Sequence, residues 1–307
     1  MADPLDQARK FVGIEVTVSS LIAVAHDGAG AAFDKHIVPY DSSQGSVLQI
    51  AAFINEIKGK FGDFEKVGVA VPGLIRRDSQ DVAFSAQIPE HSQVELAREI
   101  EKATGTKTHL ENDANAAAYG EFKLGAGRGS TNLFYATLGS GVGGAFVLKD
   151  KIWHGVSGFA GEFGYVAINS DGMRLEDVAS AANIVRRTRT RFNRDSTSSL
   201  HRLAEEEITL ERIVDAAEKG DDFAGLMLER TGNYVGTAVA TVINLLNLDR
   251  IVIGGEIMQA GDRVLNAIRL RARELSFGPS FENVKIVAGE LKENAAAIGV
   301  GLIANGA

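Results

Sequence analysis

The stretch Leu138-Gly139-Ser140-Gly141-Val142-Gly143-Gly144 is a glycine-dense bend between two apolar runs at residues 133–137 and 145–148. Both runs have the composition of buried strands. Glycine leaves backbone N–H groups uncovered and permits positive φ, so a phosphate could bind against the main chain of the bend. An ordinary glycine-rich hairpin turn explains the same residues, and the bend alone does not decide between these two interpretations.

Gly139, Gly141 and Gly144 also match the G-x-G-x-x-G spacing of dinucleotide-binding proteins. In those proteins the glycines open a helix, and the pyrophosphate binds at the helix N-terminus. Here a second apolar run and the polar turn Lys149-Asp150-Lys151 follow, which predicts a hairpin. The pattern therefore argues against a NAD-dependent dehydrogenase and leaves phosphate binding open.

Composition limits the class of protein. A chain of 307 residues with 45% hydrophobic residues is long enough for two domains and a large core. No apolar run reaches the length of a membrane span, and residues 1–10 are too polar for a signal peptide, so we expect a cytoplasmic protein without a membrane partner. The net charge of −8 argues against a nucleic-acid partner, and the arginines at 186–194 are expected on the solvated side of a helix.

Metal ligands of the usual kinds are scarce in this sequence. The chain has no cysteine, which excludes disulfides and thiolate zinc sites, and its six histidines show no ligand-like spacing. We therefore expect no structural metal.

The order of the apolar patterns predicts an α/β fold with two similar halves. Each half opens with a strand-loop-strand hairpin, and a single shift of the sequence places Phe11 on Phe134, Val24 on Val147 and Asp27 on Asp150. This weak internal repeat predicts a bilobed protein with its ligands between the lobes. We assign the first lobe to residues 1–125, closed by a helix at 294–307, and the second lobe to residues 126–293.

Helical periodicity is clearest in the second half, where it predicts helices at 174–192, 208–219 and 222–247. In the last of these, Gly232, Gly236 and Ala240 form a stripe of small residues that would permit close packing on a neighbour. In the first half, Ser92 and Glu95 have the spacing of a capping box. Further elements are predicted as an alanine-rich helix at 114–124 and strands at 66–71, 106–110, 250–253 and 284–287.

Two carboxylates are candidates for chemistry. Asp113 follows Asn112 where a predicted strand meets a helix, so it could be a simple N-cap or a general base that accepts the proton of a hydroxyl. Glu162 lies between Gly161 and Gly164, so it could belong to a surface loop or accept hydrogen bonds from sugar hydroxyls.

Five stretches, in this order and spacing, resemble the ROK family of sugar kinases and sugar-responsive repressors. They are Val71-Pro72-Gly73, Glu111-Asn112-Asp113-Ala114-Asn115-Ala116-Ala117, the bend at 138–144, Gly161-Glu162-Phe163-Gly164 and Ile251-Val252-Ile253-Gly254-Gly255. The resemblance covers residues 11–304. It implies a two-lobed actin/hexokinase-like α/β fold, which is a ribonuclease H-like duplication with the ligand cleft between the lobes.

The resemblance also implies roles for individual residues. Asp113 is similar to the family's catalytic base, and Asn112, Glu162 and Glu176 are similar to its ligands for sugar hydroxyls. Gly139, Ser140, Gly141, Gly143 and Gly144 resemble the second phosphate loop, and Gly254 and Gly255 resemble the turn beside adenosine. The implied small-molecule partners are a sugar, ATP and Mg²⁺, and the implied assembly is a homodimer.

The first hairpin departs from the family pattern. Family kinases have an Asp-x-Gly-Gly-Thr type loop there, whereas this chain has Glu15-Val16-Thr17-Val18-Ser19. Glu15 keeps a carboxylate near which Mg²⁺ could bind, and Ser19 keeps a hydroxyl for the nucleotide. Val18 narrows the loop, because a β-branched residue disfavours positive φ.

The segment that resembles the family's zinc module departs as well. Tyr165 stands in place of a histidine, the cysteine cluster is shortened to residues 167–174, and Gln87 stands in place of a sugar-binding asparagine. We therefore expect no zinc. Since only ten residues precede the first strand, we do not expect a DNA-binding repressor. The sequence predicts an ATP-dependent kinase for a glucose-like hexose, and the alternative is a non-catalytic or weakly active sugar- or nucleotide-binding ROK protein with a regulatory role.

Overall fold

The structure is a computed structural model that describes residues 11–27 and 34–306. The described chain divides into two compact units. The first holds the residues up to Gly129, together with Phe146–Ala160 and the chain from Glu290 onward, and the second holds Ser130–Ala145 and Gly161–Gly289. The division drawn from the sequence placed all of 126–293 in one lobe, whereas the structure groups residues 146–160 with the first unit.

Within the described residues, strands and α-helices alternate as an α/β protein requires. The strands are β1 (Phe11–Val16), β2 (Ser20–His26), β3 (Asp34–Pro39), β4 (Lys66–Val71), β5 (Leu74–Arg76), β6 (Asp81–Phe84), β7 (Lys107–Asn112), β8 (Asn132–Leu138), β9 (Val142–Leu148), β10 (Lys151–Ile152), β11 (Arg250–Gly254) and β12 (Lys285–Ala288). The helices are α1 (Ser46–Phe61), α2 (Leu96–Thr104), α3 (Asp113–Leu124), α4 (Glu176–Ala179), α5 (Ala181–Arg189), α6 (Leu210–Glu218), α7 (Asp222–Leu246), α8 (Asp262–Leu275), α9 (Gly278–Glu282) and α10 (Ala295–Ala304).

The first sheet has the strand order β3-β2-β1-β4-β7. Strand β1 pairs antiparallel with β2 and parallel with β4, and β4 pairs parallel with β7. Glu15 lies opposite Ala70, and Val71 lies opposite Asn112. Because parallel strands end at the same edge of a sheet, this register brings Glu15 and the Asn112-Asp113 turn to one edge.

The second sheet has the order β10-β9-β8-β11-β12. Strand β11 runs parallel to both β8 and β12, and Gly254 lies opposite Thr137. The glycine bend that follows β8 and the Gly254-Gly255 turn that follows β11 therefore meet at the same edge. Both large sheets combine an antiparallel hairpin with parallel strands, which agrees with the predicted duplication.

Two helix predictions explain packing inside each unit. The closing helix forms as α10 within the first unit, where Ala295–Leu302 are buried. In the second unit the small-residue stripe of α7 faces α8, because a side chain at Gly232 would meet Ala267 at 2.6 Å and one at Gly236 would meet Arg271 at 2.7 Å. The stripe thus allows close helix packing, as predicted.

Two local predictions were wrong. Ser92 does not cap α2, because its hydroxyl accepts the Ser85 N–H at 3.0 Å and α2 begins only at Leu96. The predicted helix at 174–192 is two helices, broken at the extended residue Ser180.

The arginine run is not wholly solvated either. The Arg187 side chain faces α7, is 8% exposed and donates to Thr231 Oγ1 at 2.7 Å.

Among the described residues, no helix is both long enough and apolar enough to cross a bilayer.

Candidate functional site

The candidate base lies where β7 meets α3. Asn112 is the N-cap of α3, since its Oδ1 accepts the Asn115 N–H at 3.0 Å. Asp113 is therefore the first helical residue and is not the N-cap. Its Oδ1 instead accepts hydrogen bonds from Asn112 Nδ2 at 3.0 Å and from the Ala114 N–H at 2.9 Å. These contacts favour the general-base interpretation over the N-cap, because they hold the carboxylate in one orientation.

Asn112 has a further contact that fixes this turn. Its Nδ2 also donates to the carbonyl oxygen of Gly73 at 3.0 Å, so both amide hydrogens are engaged. An Asn side chain has two donor hydrogens and two acceptor lone pairs, and one lone pair is used by Asn115. One lone pair of Asn112 Oδ1 therefore remains for a ligand group that donates a hydrogen bond.

Two buried residues next to this turn were given no individual role from the sequence. Glu111 and His154 are 6% and 9% exposed, and His154 Nε2 lies 2.9 Å from Glu111 Oε2. The other oxygen, Oε1, accepts the Asn112 N–H at 2.9 Å and Asn115 Nδ2 at 3.0 Å. Burial by itself would raise the pKa of Glu111, but hydrogen bonds from His154, Asn115 and the Asn112 amide outweigh it and lower that pKa.

Glu15 is the last residue but one of β1 and lies at the same edge of the sheet. Burial, and then the nearby carboxylate of Asp113, raise the pKa of Glu15 to about 8, with Lys35 opposing the rise. Glu15 is therefore mostly protonated at neutral pH when no cation is present. Two carboxyl groups close to each other are oxygen ligands of the type that Mg²⁺ prefers, and Mg²⁺ near Glu15 stays a prediction.

The turn that links β1 to β2 satisfies its own backbone groups. Thr17 Oγ1 accepts the Ser19 N–H at 3.3 Å and the Ser20 N–H at 2.9 Å, and the Thr17 N–H donates to Ser20 O at 2.9 Å. Val18 is 51% exposed at the tip, and Ser19 is also exposed. This closed turn offers few N–H groups to a phosphate.

The glycine bend does not use the left-handed conformations that glycine permits. None of Gly139, Gly141, Gly143 and Gly144 has a positive φ. The bend is followed by β9 and by a turn in which Lys149 and Asp150 have φ of 51° and 65°, which is the predicted hairpin.

Neighbouring residues hold the bend in place. Glu176 Oε2 accepts the Val142 N–H at 2.9 Å, and Gly139 O accepts the Ala181 N–H at 2.8 Å. The N–H groups of Ser140 and Gly141 have no acceptor in the part of the chain that the structure describes. These two N–H groups could donate hydrogen bonds to a phosphate oxygen.

Some of the glycines serve packing instead. A side chain at Gly144 would lie 2.8 Å from both the Phe134 ring and Phe163 Cβ. Side chains at Gly161 and Gly164 would meet the carbonyl oxygens of Gly144 and Val142. The segment with Glu162 is thus pressed against β9, and Gly144 is required there whether or not a phosphate binds.

The turn after β11 lies against the start of the bend. Gly255 has φ of +91°, and a side chain there would collide with the backbone of Leu138. The Gly139 backbone faces Glu256, whose Cγ would lie 3.7 Å from a Cβ at Gly139. The second unit therefore brings together the bend, Glu176, Gly254 and Gly255, whereas Glu15, Asn112 and Asp113 share the first.

The ROK family model matches residues 11–307, which is nearly the whole chain. The chain belongs to the ROK family. It is 35% identical over 248 residues to a glucokinase of Thermotoga maritima, covering 77% of this chain and 78% of the relative. It is 28% identical over 246 residues to a xylose repressor of Caldicellulosiruptor bescii, covering 76% of this chain and 60% of the repressor.

Among solved structures, the chain is similar to a ROK glucokinase from Streptomyces griseus in complex with glucose and AMPPNP. The TM-score is 0.86 at 26% identity, and the match covers 97% of this chain and 100% of the other. Together with the two sheets, this similarity confirms the actin/hexokinase-like fold of a ROK protein.

In this ROK protein a small hairpin occupies the region that resembles the zinc module. Ala167 and Arg174 form a β-bridge, and the Arg174 guanidinium lies 4.9 Å from the centre of the Tyr165 ring and 3.2 Å from Asp177. Among the described residues, no group of three or more His, Asp or Glu side chains is placed to hold a metal. The absence of zinc stays a prediction.

The remaining sugar-side candidates lie close to solvent. Glu162 keeps accessible surface, yet partial burial and then the charge of Glu176 raise its pKa. Tyr165 is 63% exposed, and Gln87 is exposed between β6 and the short helical turn at 89–93.

Proposed function

We propose that this ROK protein is a kinase that transfers the γ-phosphoryl group of ATP to a hydroxyl of a glucose-like hexose. Membership of the family and similarity to glucokinases support a sugar kinase. The observation that carries the proposal is the fixed carboxylate of Asp113, which is not the N-cap and is oriented by Asn112 and Ala114.

In the proposed reaction the Asp113 carboxylate accepts the proton of the sugar hydroxyl. The hydroxyl oxygen then bonds to the γ-phosphorus, the bond from this phosphorus to the β,γ-bridging oxygen breaks, and ADP leaves. Phosphoryl transfer depends mainly on positioning and on stabilisation of charge. The N–H groups of Ser140 and Gly141 would bind phosphate oxygens, and Gly143, Gly254 and Gly255 would let the nucleotide approach the main chain.

The sugar would be recognised through its hydroxyl groups. Asn112 Oδ1 would accept one hydroxyl, and Glu162 and Glu176 would accept others, with Gln87 and Tyr165 at the exposed side. Glu176 is also bonded to the Val142 N–H, so it would join sugar binding to the shape of the glycine bend. On the nucleotide side, Glu15 and Ser19 would lie near the magnesium and phosphates.

Asp113→Asn tests the base directly. The variant keeps the shape of the side chain but removes the proton acceptor, so we expect kcat for sugar-dependent ADP release to fall by about 100-fold or more. Asp215→Asn is the matched control, because Asp215 lies on α6 in the second unit and pairs with Lys219 at 2.8 Å. Equal turnover of wild type and Asp113→Asn, measured with hexoses, N-acetylhexosamines and fructose, would contradict the proposal.

The second candidate function is a sugar- or nucleotide-binding ROK protein with a regulatory role and little or no turnover. The closed turn at residues 17–20 favours it, since the Ser19 and Ser20 N–H groups are bonded to Thr17 rather than open to a phosphate. Sugar-dependent thermal stabilisation without ADP release would support this candidate. A homodimer and a cytoplasmic location stay predictions.

A further inference from the structure

The buried pair Glu111–His154 has no part in the reaction as described, and it continues to a third residue. His154 Nδ1 lies 3.2 Å from Arg77 Nη1, on the side opposite to Glu111. His154 belongs to the segment 146–160, and this segment is anchored next to Arg77, because a side chain at Gly158 would lie 3.0 Å from Ile75 O. All of these residues belong to the first unit.

The chemistry of the three groups fixes the direction of each hydrogen bond. A guanidinium has donors and no acceptor, so Nδ1 of His154 must accept from Arg77. A neutral imidazole that accepts at Nδ1 carries its proton on Nε2. His154 Nε2–H therefore donates to Glu111 Oε2, 2.9 Å away. Arg77, His154 and Glu111 thus form a row in which each residue donates a hydrogen bond to the next.

Glu111 connects this row to the turn at Asn112 and Asp113. Its second oxygen receives the Asn112 N–H and Asn115 Nδ2, and the Asn115 N–H in turn bonds to Asn112 Oδ1. Asn112 then holds Asp113 Oδ1. Each link is a hydrogen bond of 2.9 to 3.2 Å from Arg77 to the carboxylate of Asp113.

We propose that Arg77, His154 and Glu111 are positioning residues that fix the orientation of Asn112 and Asp113. The catalytic consequence rests on the proposed kinase function, whereas the hydrogen-bond order does not. Displacing a reacting group by about 1 Å costs on the order of 100-fold in rate, so loss of this row should lower kcat without abolishing the fold.

Nitrogen NMR of the histidine side chains tests the hydrogen-bond order without any turnover. With ¹⁵N-histidine labelling and His154→Gln to assign the signal, we expect the neutral Nε2–H tautomer in the wild type. Arg77→Met removes the donor to Nδ1 while Glu111 still accepts from Nε2, so Nδ1 can take up a proton and a protonated ring should appear. An Nδ1–H tautomer or a protonated ring in the wild type at neutral pH would overturn the proposal.

Kinetics of three variants test the consequence. The carboxamide nitrogen of Gln can replace Nε2–H, so His154→Gln should keep kcat within about threefold of wild type, whereas His154→Leu should lower it about 10- to 100-fold. Glu111→Gln should resemble His154→Leu, because its amide would point a donor at the Nε2–H of His154. We expect KM for the sugar to change less than kcat.

A wild-type kcat for folded His154→Leu and Glu111→Gln would overturn the positioning role. If the wild type has no turnover, the kinase proposal fails and the positioning role is judged from the Asn112 side-chain amide signals. These should shift in His154→Leu but not in His154→Gln, and unchanged signals in both variants would contradict it.

Discussion

At the scale of single residues, the surroundings shift the pKa values of two carboxyl groups of the site in opposite directions. Glu111 is buried yet has a lowered pKa, because His154, Asn115 and the Asn112 amide stabilise its charge. Glu15 has a raised pKa, because burial and Asp113 both disfavour its charge. Such differences are typical of functional sites, where burial and neighbouring groups shift the pKa values of individual carboxyl groups.

The raised pKa of Glu15 predicts how stability depends on pH. The folded protein keeps the Glu15 proton up to about pH 8, whereas the unfolded chain loses it near 4.5, so this residue's contribution to the stability of the fold is lost as pH rises through that range. Glu15→Gln does not titrate. Its free energy of unfolding relative to wild type should therefore rise between pH 5 and pH 8, by about 1.4 kcal/mol for each unit of pKa shift.

Urea denaturation at pH 5 and pH 8 measures this difference. Glu218→Gln is the matched control, because Glu218 is exposed at the end of α6. The same pH dependence in wild type and Glu15→Gln would show that Glu15 is ionised in the folded protein at neutral pH.

At the scale of secondary-structure elements, α5 carries an arginine that the fold does not fully satisfy. Arg187 is buried against α7, and its Nε and Nη1 have no hydrogen-bond partner among the described residues. Burial lowers its pKa to about 10, against the favourable effect of Tyr234 and with further lowering by neighbouring arginines. A buried donor without a partner costs about 1 to 3 kcal/mol.

Arg187→Met should therefore stabilise the second unit by about 1 kcal/mol. Methionine has a similar length and no unsatisfied donor, although the bond to Thr231 and the contact with the Tyr234 ring, 5.5 Å from the guanidinium carbon, are lost. Arg191→Met is the control, because Arg191 is exposed. Chemical denaturation measures both variants, and a clear loss of stability in Arg187→Met alone would show that Arg187 is a net stabilising residue.

At the scale of the whole molecule, the relatives include a glucokinase and a xylose repressor, so the sugar that binds is the property to test. A ligand at about 100 times its Kd stabilises the state that binds it by about 2.7 kcal/mol. We expect glucose, with AMPPNP and Mg²⁺, to raise the Tm of this protein and xylose to have little effect. Stabilisation by xylose and not by glucose would show that the hexose assignment is wrong.

Much of the fold follows from local patterns in the sequence. Periodicity in the sequence correctly located α7, α10, β11 and β12 to within a few residues, because each has a strong apolar pattern and clear ends. The capping box at Ser92 failed because Ser92 finds a partner seven residues earlier, in Ser85. A local rule has no access to such a competing contact.

The sequence by itself determined the ROK family, the glycine bend and Asp113, since these depend on residue types at short spacings. Only the tertiary structure showed which of these groups already have a structural role. Asn112 is the N-cap of α3, Glu176 accepts the Val142 N–H, and Gly144 is required for packing. It also revealed His154, which lies 43 residues from Glu111 in sequence and 2.9 Å from it in space. Pairing of buried polar groups is a property of the packed chain, because each group is desolvated only when distant segments meet.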